Sequence, residues 1–384
     1  MKLNFIKTKD FYKELFEKSN IPDGYIAISH KNEKETSIGL SELKKKVFKI
    51  YSYQYAPSYL NFELDSSLFI RKIFLKQGYA ANLQEVNSID DYLKNHCKTN
   101  FRGNARRSVK KIEACLDIDY KMYFGELSEN LYYSLMDDFQ RMLIKRFEQR
   151  NDRNLVLENW EYYLRNTRDL IINKKASLFV VYNKDKAIAF SLNFHFKSVF
   201  YFAIPTFDID YYKFAPGNVV IYKNLEWCIS NGYSFFDMGY GGFENKINWC
   251  NTTYNFDHHV LYKKNSLIVN IYSTFLRYKY YLINFILSKN LNNLLKANKK
   301  KKKKSFQMPY LFTKIDDSLF LNKDDLMAID LKKDFRPFLK RPLYDFLYLN
   351  NEYIKDVLVY EVINETSVYI IKGLNNQIKI EVNN

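Results

Sequence analysis

Phe236-Asp-Met-Gly-Tyr-Gly-Gly-Phe-Glu-Asn-Lys-Ile-Asn-Trp249 decides the reading of this chain. It places an acid, glycines, a tyrosine, a lysine and a tryptophan directly after the apolar run Ser234 to Met238, which reads as a strand. Phe243 to Trp249 reads as a short helix and Phe256 to Tyr262 as a closing strand. Just upstream, Ala215-Pro216-Gly217-Asn218 opens an amphipathic helix that runs to Ser230 and stops at Asn231-Gly232, a C-terminal glycine signal. Pro216 suits a first helical turn, where its missing N–H costs nothing. The amides of Gly217, Asn218 and Val219 are then expected to be free at the positive end of the helix dipole, an anion site. A strand end, a glycine turn and a helix N-terminus in this order suit a site that handles phosphate and an acyl group.

Working outward, the period switches to that of strands over Ala176 to Tyr182, Ala187 to Phe194 and Ser198 to Ala203. Asn183 to Lys186 and His195-Phe-Lys197 connect them as hairpin turns. Leu127 to Arg150 and Leu157 to Asn173 read as long helices. Further upstream, Ser88 caps a helix start, and the segment Leu93 to Ile112 carries seven cations and no acid. Its Phe101, Ala105, Val109 and Ile112 form one apolar helix face, and Arg102, Arg106 and Lys110 line another. Like charges so close repel one another unless an anion is near. The segment is therefore either a solvated face or a surface for phosphate or nucleic acid.

Residues 1 to 85 read as a mixed α/β half without a chemical motif. Lys9 to Lys18 has helical spacing, while Gly24 to Ser29, Lys46 to Tyr51 and Leu68 to Phe74 read as strands. Leu267 to Leu287 is apolar, but Arg277 and Lys279 would each cost about 2.5–3.5 kcal/mol at a bilayer centre. A helix packed on the domain is expected there. An interfacial helix aided by the basic run Lys299 to Lys304 is the other reading. Residues 306 to 384 read as a small α+β piece closed by Val357 to Ile363 and Ser367 to Lys372, with no assigned role.

Composition sets the bounds. In 384 residues, 59 Lys and Arg against 43 Asp and Glu give a net charge of +16, enough to attract polyanions or an anionic membrane surface. The four cysteines have no metal-ligand spacing and suggest no disulfide framework, and the five histidines form no zinc motif, so no metal is expected. The opening Met1-Lys-Leu-Asn-Phe-Ile-Lys turns polar too soon for a secretory signal, which points to a cytoplasmic location.

Taken together, Ala215-Pro216-Gly217, Gly232, Phe236-Asp237-Met238-Gly239 and Lys246 give residues 86–263 a resemblance to the GNAT superfamily. Within it the chain looks most like the cellulose-biosynthesis-type acetyltransferases, relatives of the Fem aminoacyl ligases. Asn100 to Lys111 is similar to that family's basic helix. Two departures are visible: one glycine in the Tyr212 to Asn218 loop, and Asn245-Lys246 where the family often has Tyr-Lys.

The resemblance implies a fold of class α/β (α+β): tandem GNAT-like mixed sheets flanked by helices, with a small C-terminal α+β extension. Residues 1–85 would be the degenerate first half, 86–263 the acyltransferase domain, 264–305 a helix and basic linker, and 306–384 the extension. It also implies acyl-CoA as co-substrate, with no prosthetic group, bound by Ala215, Gly217, Asn218 and Val219 at the helix start. In the Fem branch the donor would be aminoacyl-tRNA.

Thioester aminolysis needs a proton taken from the amine and a stabilised oxyanion. Asp237 is a candidate base or amine anchor, or else an acid that buttresses the glycine turn. Tyr240 is a candidate proton donor to the leaving thiolate, and Lys246 would neutralise a phosphate or oxyanion. Arg102, Arg106, His195 and Trp249 are candidates for holding substrate; as alternatives, His195 is a solvated turn residue and Trp249 a core residue. Cys228 and Cys250 lack a base partner, so a thiol nucleophile is not indicated. Three functions remain open: acyl transfer to an amine or hydroxyl of a sugar, peptide or surface-polymer precursor; aminoacyl transfer from tRNA; and a non-catalytic GNAT-like binding role.

Overall fold

One nine-stranded sheet carries most of the chain, and it draws on both halves of the sequence. The computed structural model describes residues 6, 8–36, 50–150, 154–241, 244–263, 267–289, 310–314, 325–330 and 336–382. The lysine run 299–304 and residues 46–49 of the expected strand at 46–51 lie outside the described residues.

The chain begins with β1 (Thr8–Asp10), one wide helical turn at Lys13–Glu17, β2 (Tyr25–His30), β3 (Glu33–Thr36), β4 (Ile50–Pro57), β5 (Asn61–Leu64) and β6 (Phe69–Asn82). Next come α1 (Ile89–His96), α2 (Thr99–Cys115), β7 (Ile118–Tyr123), α3 (Glu129–Arg150), α4 (Leu155–Glu158) and α5 (Trp160–Ile172). A meander follows: β8 (Ala176–Asn183), β9 (Lys186–Phe196) and β10 (Val199–Phe207). A 3₁₀ turn at Ile209–Phe214 leads into α6 (Pro216–Ser230), β11 (Phe235–Tyr240), α7 (Glu244–Ile247), β12 (Thr252–Tyr262) and α8 (Leu267–Ser288). The C-terminal piece contains β13 (Tyr310–Lys314), β14 (Leu326–Ile329), α9 (Lys340–Asn350), β15 (Leu358–Val362), β16 (Val368–Lys372) and β17 (Gln377–Val382).

Local signals explain several boundaries. Ser88 accepts from the Asp91 amide at 3.0 Å and starts α1. The basic segment at 93–112, expected as one helix, is broken at Cys97, where the backbone turns extended before α2 resumes at Thr99. The expected apolar face of α2 is confirmed: Ala105, Val109 and Ile112 are buried, and Phe101 packs beside them.

The large sheet runs β1-β4-β12-β6-β11-β10-β9-β8-β7. Strands β7 to β10 form an antiparallel meander. Helix α6 then crosses over so that β11 lies parallel to β10, the connection that a parallel pair requires. The halves interlock beyond that point. Strand β6 pairs antiparallel with β11 on one side and with β12 on the other, and β12 in turn pairs with β4. This is a mixed α/β fold in which residues 1–85 complete the sheet of residues 86–263. A second core separates from the first across the sheet. Helices α1, α2 and α6 pack with Phe200, Phe236 and Trp249, while α3, α5 and the turn at Lys13–Glu17 pack with Phe190, Phe194 and Phe256.

The C-terminal piece is a five-stranded antiparallel sheet, β13-β17-β16-β15-β14, plus α9. Helix α9 packs on the 3₁₀ turn that precedes α6: Tyr211 donates to the Tyr344 hydroxyl at 2.6 Å, and Phe214 meets Tyr348 edge-on. A further three-stranded sheet, β3-β2-β5, belongs to the N-terminal half. Among the described residues no helix is long and apolar enough to cross a membrane.

Candidate active site

The parallel strands β10 and β11 pair at only three positions, the last being Tyr201 with Asp237. Beyond it they part. Strand β10 bulges between Phe202 and Ile204 against β9, and β11 bulges between Asp237 and Tyr240 against β6. The second bulge turns on Gly239, whose φ of +67° is costly for any residue with a side chain. The two strands make no further pair, and the start of α6 lies beside the far end of β10, where a Cβ built at Gly217 would meet the Phe207 ring at 3.6 Å.

Asp237 sits at the apex of this opening, wholly enclosed. Its Oδ1 accepts from the Tyr254 hydroxyl at 2.5 Å and from the Gly239 amide at 2.7 Å. Its Oδ2 accepts from the Tyr59 hydroxyl at 2.7 Å and from the Tyr12 hydroxyl. Burial raises its pKa, against the lowering effect of the four hydrogen bonds. Burial also holds the phenols of Tyr12, Tyr59 and Tyr254 well above their ordinary value, so they remain donors. Tyr12 and Tyr59 come from the N-terminal half, which therefore completes the apex.

The other two candidates for catalysis lie at the edge of the same opening. Tyr240 is half exposed, stacks on Tyr55 at 5.2 Å, and has the Lys76 ammonium 3.9 Å from its ring centre. Lys246, on α7, donates to the Tyr240 carbonyl at 3.4 Å. Burial lowers its pKa, with Asp237 and Cys250 pulling the other way. Asp237 raised and Lys246 lowered form a neighbouring acid and amine, each moved toward neutrality. Cys250 is no nucleophile: burial pushes its thiol up to about 12.

At the mouth, the expectation of three free amides at the α6 start needs correction. Ala215 adopts a left-handed φ of 50°, and its carbonyl accepts from both Asn218 (2.9 Å) and Val219 (3.4 Å). The amide of Gly217 is the one of the three that this carbonyl leaves to a ligand. Ala215, Gly217 and Asn218 are partly exposed, whereas the Val219 side chain is buried.

The remaining candidates lie apart. Trp249 is fully buried under α7, edge-on to Phe101 at 4.9 Å, and its indole nitrogen has no partner among the described residues. His195 is buried as well, which corrects the expectation of a solvated turn. Strand β9 extends through Phe196, and Trp227 and Tyr233 cover the ring. Its Nε2 meets the Ser177 hydroxyl at 2.9 Å and its Nδ1 the Tyr233 hydroxyl at 2.8 Å. Burial lowers its pKa to about 3, so it is neutral. Arg102 and Arg106 lie on α2. Arg102 donates to the Lys94 carbonyl at 3.2 Å, and Arg106 pairs with Asp90 at 2.8 Å, an anion that sits just ahead of the acid-free segment. Sequence reasoning missed Tyr12, Tyr55, Tyr59, Lys76 and Tyr254. In a chain with 33 tyrosines, none of them stands out by type.

Residues 99–246, from the start of α2 to Lys246, match the family model described as an acetyltransferase (GNAT) domain. The chain carries a GNAT domain. The fold agrees with the expected α/β class, a mixed sheet flanked by helices with a small C-terminal α+β extension, though both halves share one large sheet, and the activity class of such a domain is acyl transfer. No curated protein matches the chain. Among solved structures, it is similar to FemX (10% identity, TM-score 0.41, over 60% of this chain and 76% of that one). It is also similar to the C-terminal domain of a putative lysylphosphatidylglycerol synthetase from Agrobacterium fabrum (12%, 0.38, 56% and 68%). A third likeness is to a conserved protein of unknown function from Bacteroides thetaiotaomicron (11%, 0.38, 55% and 69%). The GNAT domain holds no cluster of metal-ligating side chains among the described residues.

Proposed function

We propose that this chain is a cytoplasmic N-acyltransferase that moves an acyl group from acyl-CoA to an amine or hydroxyl of a sugar, peptide or surface-polymer precursor. The observation that carries this reading is the parting of β10 and β11 beyond Tyr201 and Asp237, inside the segment that matches a GNAT domain and with the α6 start beside the end of β10. In this reading the donor pyrophosphate meets the Gly217 amide and the helix dipole, beside Ala215, Asn218 and Val219. The acyl group lies in the opening. The amine attacks the thioester carbon, the carbonyl oxygen becomes an oxyanion, and the carbon–sulfur bond breaks as the tetrahedral adduct collapses.

Tyr240 protonates the departing thiolate and is reprotonated by the proton that the attacking amine gives up, and Lys246 supplies positive charge to the oxyanion. Asp237 is enclosed, so it acts through the glycine turn and the three tyrosines that it fixes, and it anchors the site rather than touching the amine. Residues 1–85 serve as the structural half that supplies Tyr12 and Tyr59, and residues 86–263 as the transferase half.

A second reading, aminoacyl transfer from tRNA, draws on the groove lined by Arg106, Arg107, Lys110 and Lys111 with Asn351, of about 420 Å³. Calorimetry with acetyl-CoA and with aminoacyl-tRNA separates the readings. Acetyl-CoA binding that competes with free CoA supports the first. Binding of charged tRNA alone, lost when Arg102, Arg106 and Lys110 become glutamine, supports the second. Binding of neither donor leaves a GNAT-like binding protein.

A further inference from the structure

Helix α8 is apolar on the side that faces away from the protein. Its inner side, Val269, Ser273, Leu276 and Tyr280, packs on β4, β6 and β12. That inner side is held by polar contacts: Tyr280 to His258 at 2.6 Å, Tyr272 to Ser52 at 3.0 Å, and Asn284 to the Leu75 carbonyl at 3.1 Å. The opposite side carries Leu267, Ile271, Phe275, Tyr278, Leu282 and Phe285, which are between 44% and 78% exposed. At 100° per residue all six fall within about 40° of the Ile271 direction, one continuous stripe. A stripe of this length on a monomer's surface marks a surface that something covers.

Charge selects the occupant. There is no Asp or Glu between Leu267 and Ser288. Arg277 and Lys279 flank the stripe on either side, and Lys289 follows the helix. The chain as a whole carries +16. A second copy of α8 laid on the first would bring the same flanking cations together with no acid to pair them. An anionic lipid surface supplies apolar depth for the stripe and phosphates for the cations, whose long stems reach the headgroup level. We propose that α8 is an in-plane docking helix that seats the protein on an anionic membrane surface, with Ile271, Phe275 and Leu282 entering the acyl boundary. The inference does not depend on the acyl-transfer reading.

The test uses the full chain and flotation with vesicles of phosphatidylcholine alone or mixed with phosphatidylglycerol. Wild type is expected to float with the mixed vesicles and to remain behind with phosphatidylcholine alone. The triple variant Ile271→Ser, Phe275→Ser, Leu282→Ser keeps every cation and alters only exposed side chains. It should lose at least about tenfold in partitioning with an unchanged circular dichroism spectrum, because the apolar area is gone. A second variant, Arg277→Gln with Lys279→Gln, should weaken the dependence on phosphatidylglycerol. Equal flotation of wild type and the triple variant overturns the proposal and leaves non-specific charge attraction. Absence of wild-type flotation also overturns it. So does a wild-type dimer in sedimentation velocity that the triple variant converts to monomer, which would make the occupant a second copy.

Discussion

Tyr201 of β10 is registered against Asp237 of β11, and this is the last pair that the two strands make. The Tyr201 ring also packs edge-on to Tyr12 at 4.9 Å, so a residue from the N-terminal half is wedged at the point where the sheet opens. Strand separation here is therefore built in by side chains: the carboxylate draws three phenols and the Gly239 amide onto one side of the strand end.

Removing that carboxylate should damage the fold as well as the activity. Asp237→Asn replaces an acceptor oxygen with an amino group, which leaves at least one buried donor facing another. We expect a loss of about 1–3 kcal/mol for each donor left unsatisfied, seen as a lower midpoint in urea unfolding. A midpoint unchanged from wild type would mean that the tyrosines do not depend on Asp237.

Lys246→Met and Tyr240→Phe test the chemistry separately. Both positions lie at the edge of the opening, so thermal midpoints should move little. Turnover of acyl-CoA should fall at least about tenfold in each, the low end for loss of an acid–base or electrostatic contribution. Normal turnover per folded molecule in both variants would move the active site elsewhere.

Gly217→Glu tests the donor position. A Cβ built at Gly217 meets only the Phe207 ring, at 3.6 Å, and the helical backbone there accepts any L-residue. Stability should therefore hold while the added carboxylate repels a pyrophosphate. Calorimetry should show CoA affinity lower by about tenfold or more, in line with one repulsive charge at close range. Equal affinity for CoA in the two proteins would exclude this helix start as the donor site.

The stretch from Ala176 to Tyr240 was legible because its signals are local. Period-two runs give way to Pro216, a helical period and Gly232, and each boundary is set by residues within a few positions of it. The insertion of β6 between β11 and β12 was not legible. Alternation tells which side of a strand is buried, but not which strand lies next to it. The Asp237 cluster was hidden for the same reason, since Tyr12 and Tyr59 are 225 and 178 residues away. The amide count at α6 failed on helix geometry: with Ala215 as the cap, its carbonyl takes the Val219 amide as the first intrahelical bond and the Asn218 amide in a tighter contact, so fewer amides stay free than the motif suggests.

Buried histidines predict a specific acid sensitivity. His195, His258 and His259 are enclosed, and burial lowers their pKa values to about 3, about 4 and about 3 from an ordinary 6.5. A depressed histidine contributes stability that is fully present above pH 6.5 and is lost as pH falls toward the folded-state value. Between those limits each adds a slope of about 1.4 kcal/mol per pH unit. Urea unfolding at steps from pH 7 to pH 5 should show His195→Gln with a slope smaller than wild type by about one such increment. Identical slopes would show that His195 is protonated in the folded protein.

The last prediction concerns how the C-terminal piece acts on the turn before α6, the proposed donor position. Lys340, at the start of α9, is buried against Asp208 and lies 3.1 Å from Asp210, both at the turn that precedes α6. Asp208 also accepts from the Asp210 amide at 3.2 Å, and its carboxyl is held below the ordinary range by the Lys340 ammonium despite its burial. Lys340→Met keeps the length of the side chain but strands an enclosed carboxylate. Breaking one partner of a buried pair costs about 3–5 kcal/mol, so the unfolding midpoint should drop sharply. The double variant Lys340→Met, Asp208→Asn removes the stranded charge and should recover most of that loss. If α9 shapes the turn that sets the Gly217 amide, the double variant will be stable yet bind CoA more weakly than wild type. Wild-type affinity in a stable double variant would confine the pair to holding the C-terminal piece in place.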